Sequence, residues 1–410
     1  MTETATPPKR DCDIAIVGGG LSGGLIALAL AWHRPELVVR LIEAGPRLGG
    51  NHRWSWFASD LDPAGTALME RFPAARWNDG YDVCFPDHSR TLRASYRSLA
   101  SADFAATLER ELSPGTILTG SEVAQIGGDG VTLRDGSHIL ARTVIDCRGF
   151  SPTGDLTGGW QVFMGRRLRT DKPHGMDRPI IMDATVDQVG PAGDDGAYRF
   201  VYALPLGEDE LFVEDTYYAD APRLDRAVLS GRIDAWCGAR AIAGQELGSE
   251  TGVLPVIIGG DFDAYRRTVR IPGVAIAGAR GGFVHPLTSY TLPIAVRIAR
   301  VVAVNADLPG DKLARLLEAH ARRHWRTTGF YRLLGAMLFG AAEPAERYRV
   351  FQRFYRLREP LIERFYAARS RITDKARVLI GRPPVSMWRA IRSLAARPST
   401  PLAPDRKDIQ

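Results

Sequence analysis

A chain of 410 residues, 45% of them hydrophobic, is long enough for two or three domains with full cores. Its four cysteines form no C-x-x-C pair and its eight histidines do not cluster at ligand spacings, which argues against a disulfide framework or a metal and suits a reducing, cytoplasmic setting. The net charge of +6 hides a gradient: residues 311–410 hold 22 Lys+Arg against 9 Asp+Glu, leaving 31 against 38 for the rest, so an anionic partner is expected for the tail alone.

The first ten residues, MTETATPPKR, lack the apolar core of a secretory leader. Residues 14–17 then read as a buried parallel strand, 24–32 as a helix and 37–42 as a second strand ending at Glu43. Between the first strand and the helix, Gly18, Gly20 and Gly23 fit G-x-G-x-x-G, with an acid about 20 positions further on. That is the pattern of a dinucleotide seat. Gly18 allows the tight turn, Gly20 the approach of a pyrophosphate and Gly23 the packing of helix on strand. The phosphates sit at the positive end of the helix, and Glu43 accepts the ribose hydroxyls. Residues 14–32 carry no charge, but five glycines within them argue against a membrane span.

After Glu43, Arg47, Gly49 and Gly50 keep the chain near a bound cofactor, and Trp54, Trp56 and Phe57 form an aromatic cluster. Residues 60–96 show no clean period. A helix is predicted over 101–112, short strands near Ile117, 123–126 and 131–133, and a buried strand over 143–146 that ends in Arg148-Gly149. From 160 to about 260 the pattern has period 2, in WQVFMGRRL, RPIIMDATV, YRFVYALPL and ELFVEDTYY, as in antiparallel strands. A buried strand at 274–278, the glycine-rich loop 279–287 and a helix at 291–305 again bring backbone N–H groups to a phosphate or flavin, with Gly278, Arg280 and His285 as cofactor-binding candidates.

The predicted fold is α/β. A Rossmann-type dinucleotide-binding domain of the two-dinucleotide flavoprotein kind (1–60, 97–158 and 268–309) carries an inserted antiparallel β-sheet substrate domain (61–96 and 159–267). A helical, membrane-facing region (310–394) and a disordered tail (395–410) follow.

For chemistry the strongest stretch is FVEDTYY. Neighbours on a strand face opposite sides, so one of Glu214 and Asp215 points to the buried face. A buried carboxyl has its pKa raised and donates a proton near neutral pH. The bland alternative is a pair of edge charges, or a pairing with an arginine such as Arg199. His285 is an acid/base group, a flavin neighbour or a residue bonding its own loop, and His52 is similar. In the tail, Tyr348, Phe351 and Tyr355 share a helical face among arginines, and residues 329–342 are apolar but for Arg332. Such segments suit an anionic membrane surface, or else a helical cap with core aromatics; their helical period argues against nucleic acid.

Six stretches, VGGGLSGGLIALAL, NHRWSWF, YRFVYALPL, FVEDTYY, GGFVHPLTSYTLPIAV and VFQRFYRLREPLIERFYAARSRITDKARVLIGRPP, together resemble the bacterial flavin-dependent lycopene β-cyclases of the carotenoid cyclase family, from residue 13 to about 384. The resemblance implies FAD, kept reduced by NAD(P)H, and closure of the ends of lycopene and related ψ-end carotenoids into β-rings without net redox change. A proton adds to the terminal double bond, an inner double bond attacks the cation and a ring proton leaves. It assigns the acid to Glu214, with Val213 where the family has Leu or Ile, and matches Asp215 to the second carboxylate. Where relatives often carry Gly-Asp to hold the ribityl chain, this sequence has Gly278-Ala279-Arg280, so other groups must do so. Trp54, Trp56, Tyr198 and Tyr202 are candidates to face the substrate and its cation, and a substrate without polar groups implies peripheral membrane attachment. A flavin monooxygenase, an isoprenoid reductase and a non-enzymatic carotenoid-binding flavoprotein are the alternatives.

Overall fold

In the computed structural model, residues 10–188, 198–341, 344–380 and 400–403 are described. Two large sheets organise them. In the first, seven-stranded sheet, five strands run parallel in the order Ile117–Leu118, Val39–Ile42, Cys12–Val17, His138–Asp146 and Val274–Ile276. The strands Val123–Gly127 and Gly130–Leu133 extend it antiparallel. Apolar side chains on both faces of Cys12–Val17 account for its central place. Helix Leu21–His33 covers one face and is itself packed by Leu292–Val304 and Ser101–Glu111.

The second large sheet has the order Gly244–Gly260, Leu156–Thr170, Glu210–Ala219, Tyr198–Pro205, Ile180–Asp183, Tyr81–Phe85, His88–Leu92. All its pairings are antiparallel except Ile180–Asp183 with Tyr81–Phe85. Two of its strands thus come from the region without a readable period. Gly244–Gly260 was not foreseen either, because five glycines interrupt its apolar pattern. One face is packed by helix Arg226–Gly238 through Leu229, Ile233 and Trp236. The other faces a small sheet of Arg53–Phe57, Tyr96–Ala100 and Ala75–Trp77 and the C-terminal helices.

Those helices, Gly310–Thr327, Gly329–Ala341, Tyr348–Phe354, Glu359–Tyr366 and Ile372–Leu379, turn their aromatics inward. Phe351 stacks on Tyr198 with ring centres 4.3 Å apart, and the fully buried Tyr355 lies against Phe85. Of the two readings of the tail aromatics, a membrane-facing surface or a helical cap with core aromatics, their packing fits the cap: Tyr355 is in the core, and Tyr348 and Phe351 are partly buried against it. The tail predicted to be disordered is also ordered in part. Leu402 is buried, and its N–H donates to the Leu156 carbonyl at 2.9 Å. Residues 395–399 and 404–410 of that tail, and 381–394 of the predicted helical region, lie outside the described residues.

Candidate active site

Three glycines shape the turn after the first strand. Gly18 has φ +104°, and a Cβ there would lie 2.9 Å from the Cys147 carbonyl. At Gly23 a Cβ would fall 2.0 Å from the Gly18 oxygen, so the helix can approach the strand only without one. Gly20 differs: beyond its chain neighbours and the adjoining helix, a Cβ would meet no atom of the described residues within 4 Å, and the position opens into a cavity. Beside it, the Glu43 carboxylate accepts from the N–H groups of Gly19 and Gly45, each at 2.7 Å. Each oxygen keeps acceptor capacity toward the cavity. Gly49 and Gly50, both at positive φ, line the same cavity, as does Gly278 (φ +63°).

The cavity, about 870 Å³, runs from this turn to the second large sheet. Its size is within the range of about 300–1,000 Å³ usual for ligand sites. Glu214 lies on its wall with Tyr202, Tyr218, Phe163 and Trp160, and Tyr290 and Tyr366 come in from the late loop and the C-terminal helices. The register explains the grouping. Tyr202, Glu214 and Gly165 are opposed on three adjacent strands, with Glu250 beyond Gly165. The Phe212 ring occupies the place of a Gly165 side chain.

Thr216 Oγ1 donates to Glu214 Oε1 at 2.6 Å. Burial pushes the Glu214 pKa up to about 8, with Glu250 adding to the rise while Thr216 and Arg53 oppose it. The carboxyl is therefore protonated at neutral pH although it borders the cavity. Around it the hydroxyls satisfy one another. Tyr202 donates to Tyr96 at 3.1 Å, Tyr96 bonds Tyr290 at 3.0 Å, and Ser55 bonds Tyr202 at 2.7 Å. Burial raises the pKa of all three tyrosines, so they stay neutral phenols whose rings wall the space.

The sequence candidates separate in space. Gly18, Gly20, Glu43, Gly49, Gly50, Gly278, Trp54, Tyr202 and Glu214 all line the cavity. Gly23 sits behind the turn. Asp215, one residue from Glu214, is fully buried on the opposite face of the sheet, where Arg199 Nη2 reaches it at 2.7 Å and Arg232 at 3.9 Å. Arg280 turns toward Asp146, at 3.8 Å. Trp56 and Tyr198 are buried in the cores and do not line the cavity. His285 is also set back from it. Its Nδ1 accepts from the N–H groups of Leu287 and Thr288, so Nε2–H donates to the Phe365 carbonyl, and burial lowers its pKa to about 3. The residue is a neutral brace for its own loop, and the cofactor-binding expectation for it, like that for the Arg280 side chain, does not fit where the structure puts them.

Sequence reasoning missed Arg53 and Glu250, paired at 3.7 Å next to Glu214, and the tyrosines Tyr96, Tyr290 and Tyr366. The available signal for Glu250 was the alternation of Glu and Gly at 246, 248, 250 and 252. Among the described residues no His/Cys/Asp/Glu group is arranged to hold a metal.

Over residues 13–392 the sequence matches the family described as Lycopene cyclase protein. It is 42% identical to a lycopene beta-cyclase of Pseudescherichia vulneris, covering 97% of this chain and 99% of that one. A lycopene beta-cyclase of Paracoccus sp. is 40% identical (94% and 98%) and one of Pantoea ananas 38% (93% and 97%). Among solved structures the fold is similar to a probable FAD-dependent monooxygenase from Pseudomonas aeruginosa (TM-score 0.55, 15% identity, 84% of this chain and 99% of that one). It is also similar to a flavin-dependent halogenase from Xanthomonas campestris (TM-score 0.53, 10%, 96% and 98%). The architecture is thus the Rossmann-like fold of these flavoproteins, and with a family match across nearly its whole length the chain belongs to the lycopene cyclase family.

Proposed function

We propose that this protein is a lycopene β-cyclase that closes the ψ-ends of lycopene into β-rings by proton transfer from Glu214. One observation carries the reading: a desolvated carboxyl, pKa about 8, stands on an aromatic cavity wall that is continuous with a dinucleotide seat. The membership of the chain in the family supports the same substrate class.

The seat fits FAD. Gly18, Gly20 and the start of helix Leu21–His33 would hold the pyrophosphate, Glu43 the ribose and the Gly278 loop the flavin end. Bound there and kept reduced by NAD(P)H, FAD would supply electron density to steady a cation without net redox change. Glu214 delivers its proton to the terminal double bond. The tertiary cation is attacked by the inner double bond, forming the ring C–C bond. A proton then leaves the ring carbon for the carboxylate that Glu214 has become, so protons balance. Tyr202, Tyr218, Phe163 and Trp160 line the cavity and would exclude water, which would quench the cation, and supply aromatic electron density near it.

The substrate is membrane-borne, and the last described helix offers a docking surface: Ile372 and Ile380 are 86% and 62% exposed beside exposed Arg371 and Arg377. No helix among the described residues is long and apolar enough to cross a membrane.

The test is anaerobic incubation of the purified protein with lycopene and NADPH, with pigments and NADPH both quantified. Cyclisation with far less than one NADPH consumed per ring is expected. One NADPH per product would indicate a reductase-type reaction, and unchanged pigment a carrier or a monooxygenase, which needs oxygen to turn over.

A further inference from the structure

Arg53 poses a problem for an acid that must keep its proton. Arg53 lines the cavity that Glu214 lines, and its charge draws the Glu214 pKa down. An unneutralised cation at such a place lowers a neighbouring carboxyl by about 1–3 units. Glu250 answers it. From strand Gly244–Gly260 it faces the same side of the sheet as Glu214, with Gly165 between them on the intervening strand. Because Gly165 has no side chain, nothing on that strand separates the two carboxyls. The Phe212 ring fills the gap, and the Arg53 guanidinium stacks on it at 4.6 Å. Arg53 Nε then lies 3.7 Å from Glu250 Oε1, both side chains largely buried (8% and 15% exposed).

We infer that Glu250 is a positioning residue for the cyclisation: it holds the Arg53 guanidinium and takes up its charge, so that the Glu214 carboxyl beside them remains a proton donor. The inference rests on the role of Glu214 proposed above. The other groups acting on Glu214 do not replace this one. Asp215 is held on the opposite face by Arg199, and Tyr202 and Tyr290 are neutral. A buried ion pair that served only to join strands Arg53–Phe57 and Gly244–Gly260 would leave the protonation of Glu214 unchanged.

The test compares Glu250→Gln, Arg53→Gln and the double variant with the parent holoenzyme. The readouts are the pH profile of cyclisation and an infrared titration of the Glu214 carboxyl, assigned by its loss in Glu214→Gln. In Glu250→Gln the alkaline limb and the infrared midpoint should both move down by about one unit or more, since Arg53 is then uncompensated. The double variant should bring them back toward the parent values. Unmoved midpoints in Glu250→Gln, or a double variant as displaced as the single one, would overturn the inference. The infrared readout needs no turnover, so it stays distinct from the case in which Glu214→Gln cyclises lycopene normally and the proposed function itself fails.

Discussion

Glu214 and Asp215 are adjacent in the chain yet send their carboxyls to opposite faces of one strand, Glu214 into the cavity and Asp215 beneath helix Arg226–Gly238 onto Arg199. The alternation of a β-strand makes this obligatory. It divides the labour of a motif in which both residues were catalytic candidates: only Glu214 can reach a ligand.

Replacing Glu214 by Gln keeps shape and removes the acid. Turnover should fall at least about a hundredfold, the usual scale of a lost general acid, while bound flavin, read by its visible absorbance, is retained.

The pH dependence follows from the folded value of about 8 against an ordinary 4.5. Activity should hold through neutral pH and decline as pH rises through about 8. The same shift is a stability statement. The contribution of the protonated carboxyl to folding is fully present below about 4.5 and is lost as pH climbs through about 8, where the folded chain must ionise a buried group. Glu214→Gln escapes this loss. Its Tm relative to the parent should therefore rise by about a few degrees between pH 5 and pH 8 in calorimetry.

Asp215→Asn should behave differently. It strands Arg199 without its buried partner, and breaking such a pair costs about 3–5 kcal/mol. A lowered Tm is expected, with the alkaline limb of the activity profile moving down less than in Glu250→Gln, because Asp215 is the weaker of the two carboxylates that raise Glu214.

The glycine turn yields a matched pair of variants. Gly20→Val places its side chain in the cavity, its Cβ meeting no atom of the described residues within 4 Å beyond its chain neighbours and the adjoining helix, so the chain should fold with its parent circular dichroism but lose flavin. Gly23→Ala drives a methyl to 2.0 Å from the Gly18 oxygen and should lose both flavin and stability, by about 1–3 kcal/mol or more.

At helix Ile372–Leu379 and its C-cap, the proposed docking surface, Ile372→Ser with Ile380→Ser should lower binding to anionic vesicles at least about tenfold in flotation assays, since each isoleucine buried is worth up to about 1.5–3 kcal/mol. Cyclisation of lycopene presented in detergent should be unaffected.

Much of this was legible in the sequence where local physics suffices. The glycine turn, the first strands and the opposed Glu214 and Asp215 follow from spacing and period alone. What could not be read was long-range convergence. Tyr96, Tyr202 and Tyr290 meet through hydroxyls although up to 194 positions separate them. Glu250 lies on a strand whose glycines hide its period, and it matters only because Gly165 stands between it and Glu214. Tyr198 and the tail aromatics carried the right chemistry for a ligand or a membrane, but a helical stripe does not say which partner covers it, and here Phe351 covers Tyr198. His285 shows the same limit: its ring is engaged by the N–H groups of Leu287 and Thr288 in its own loop and does not line the cavity.

The central claim, ring closure begun by the Glu214 proton, is tested most directly by isotope incorporation. The enzyme, equilibrated in D2O and in excess over lycopene, is taken through a single turnover without oxygen. One deuterium per new β-ring is expected, on the ring carbon that had been the CH of the terminal double bond, with no ring formed by Glu214→Gln. Rings formed without deuterium, or formed equally by Glu214→Gln, would contradict it.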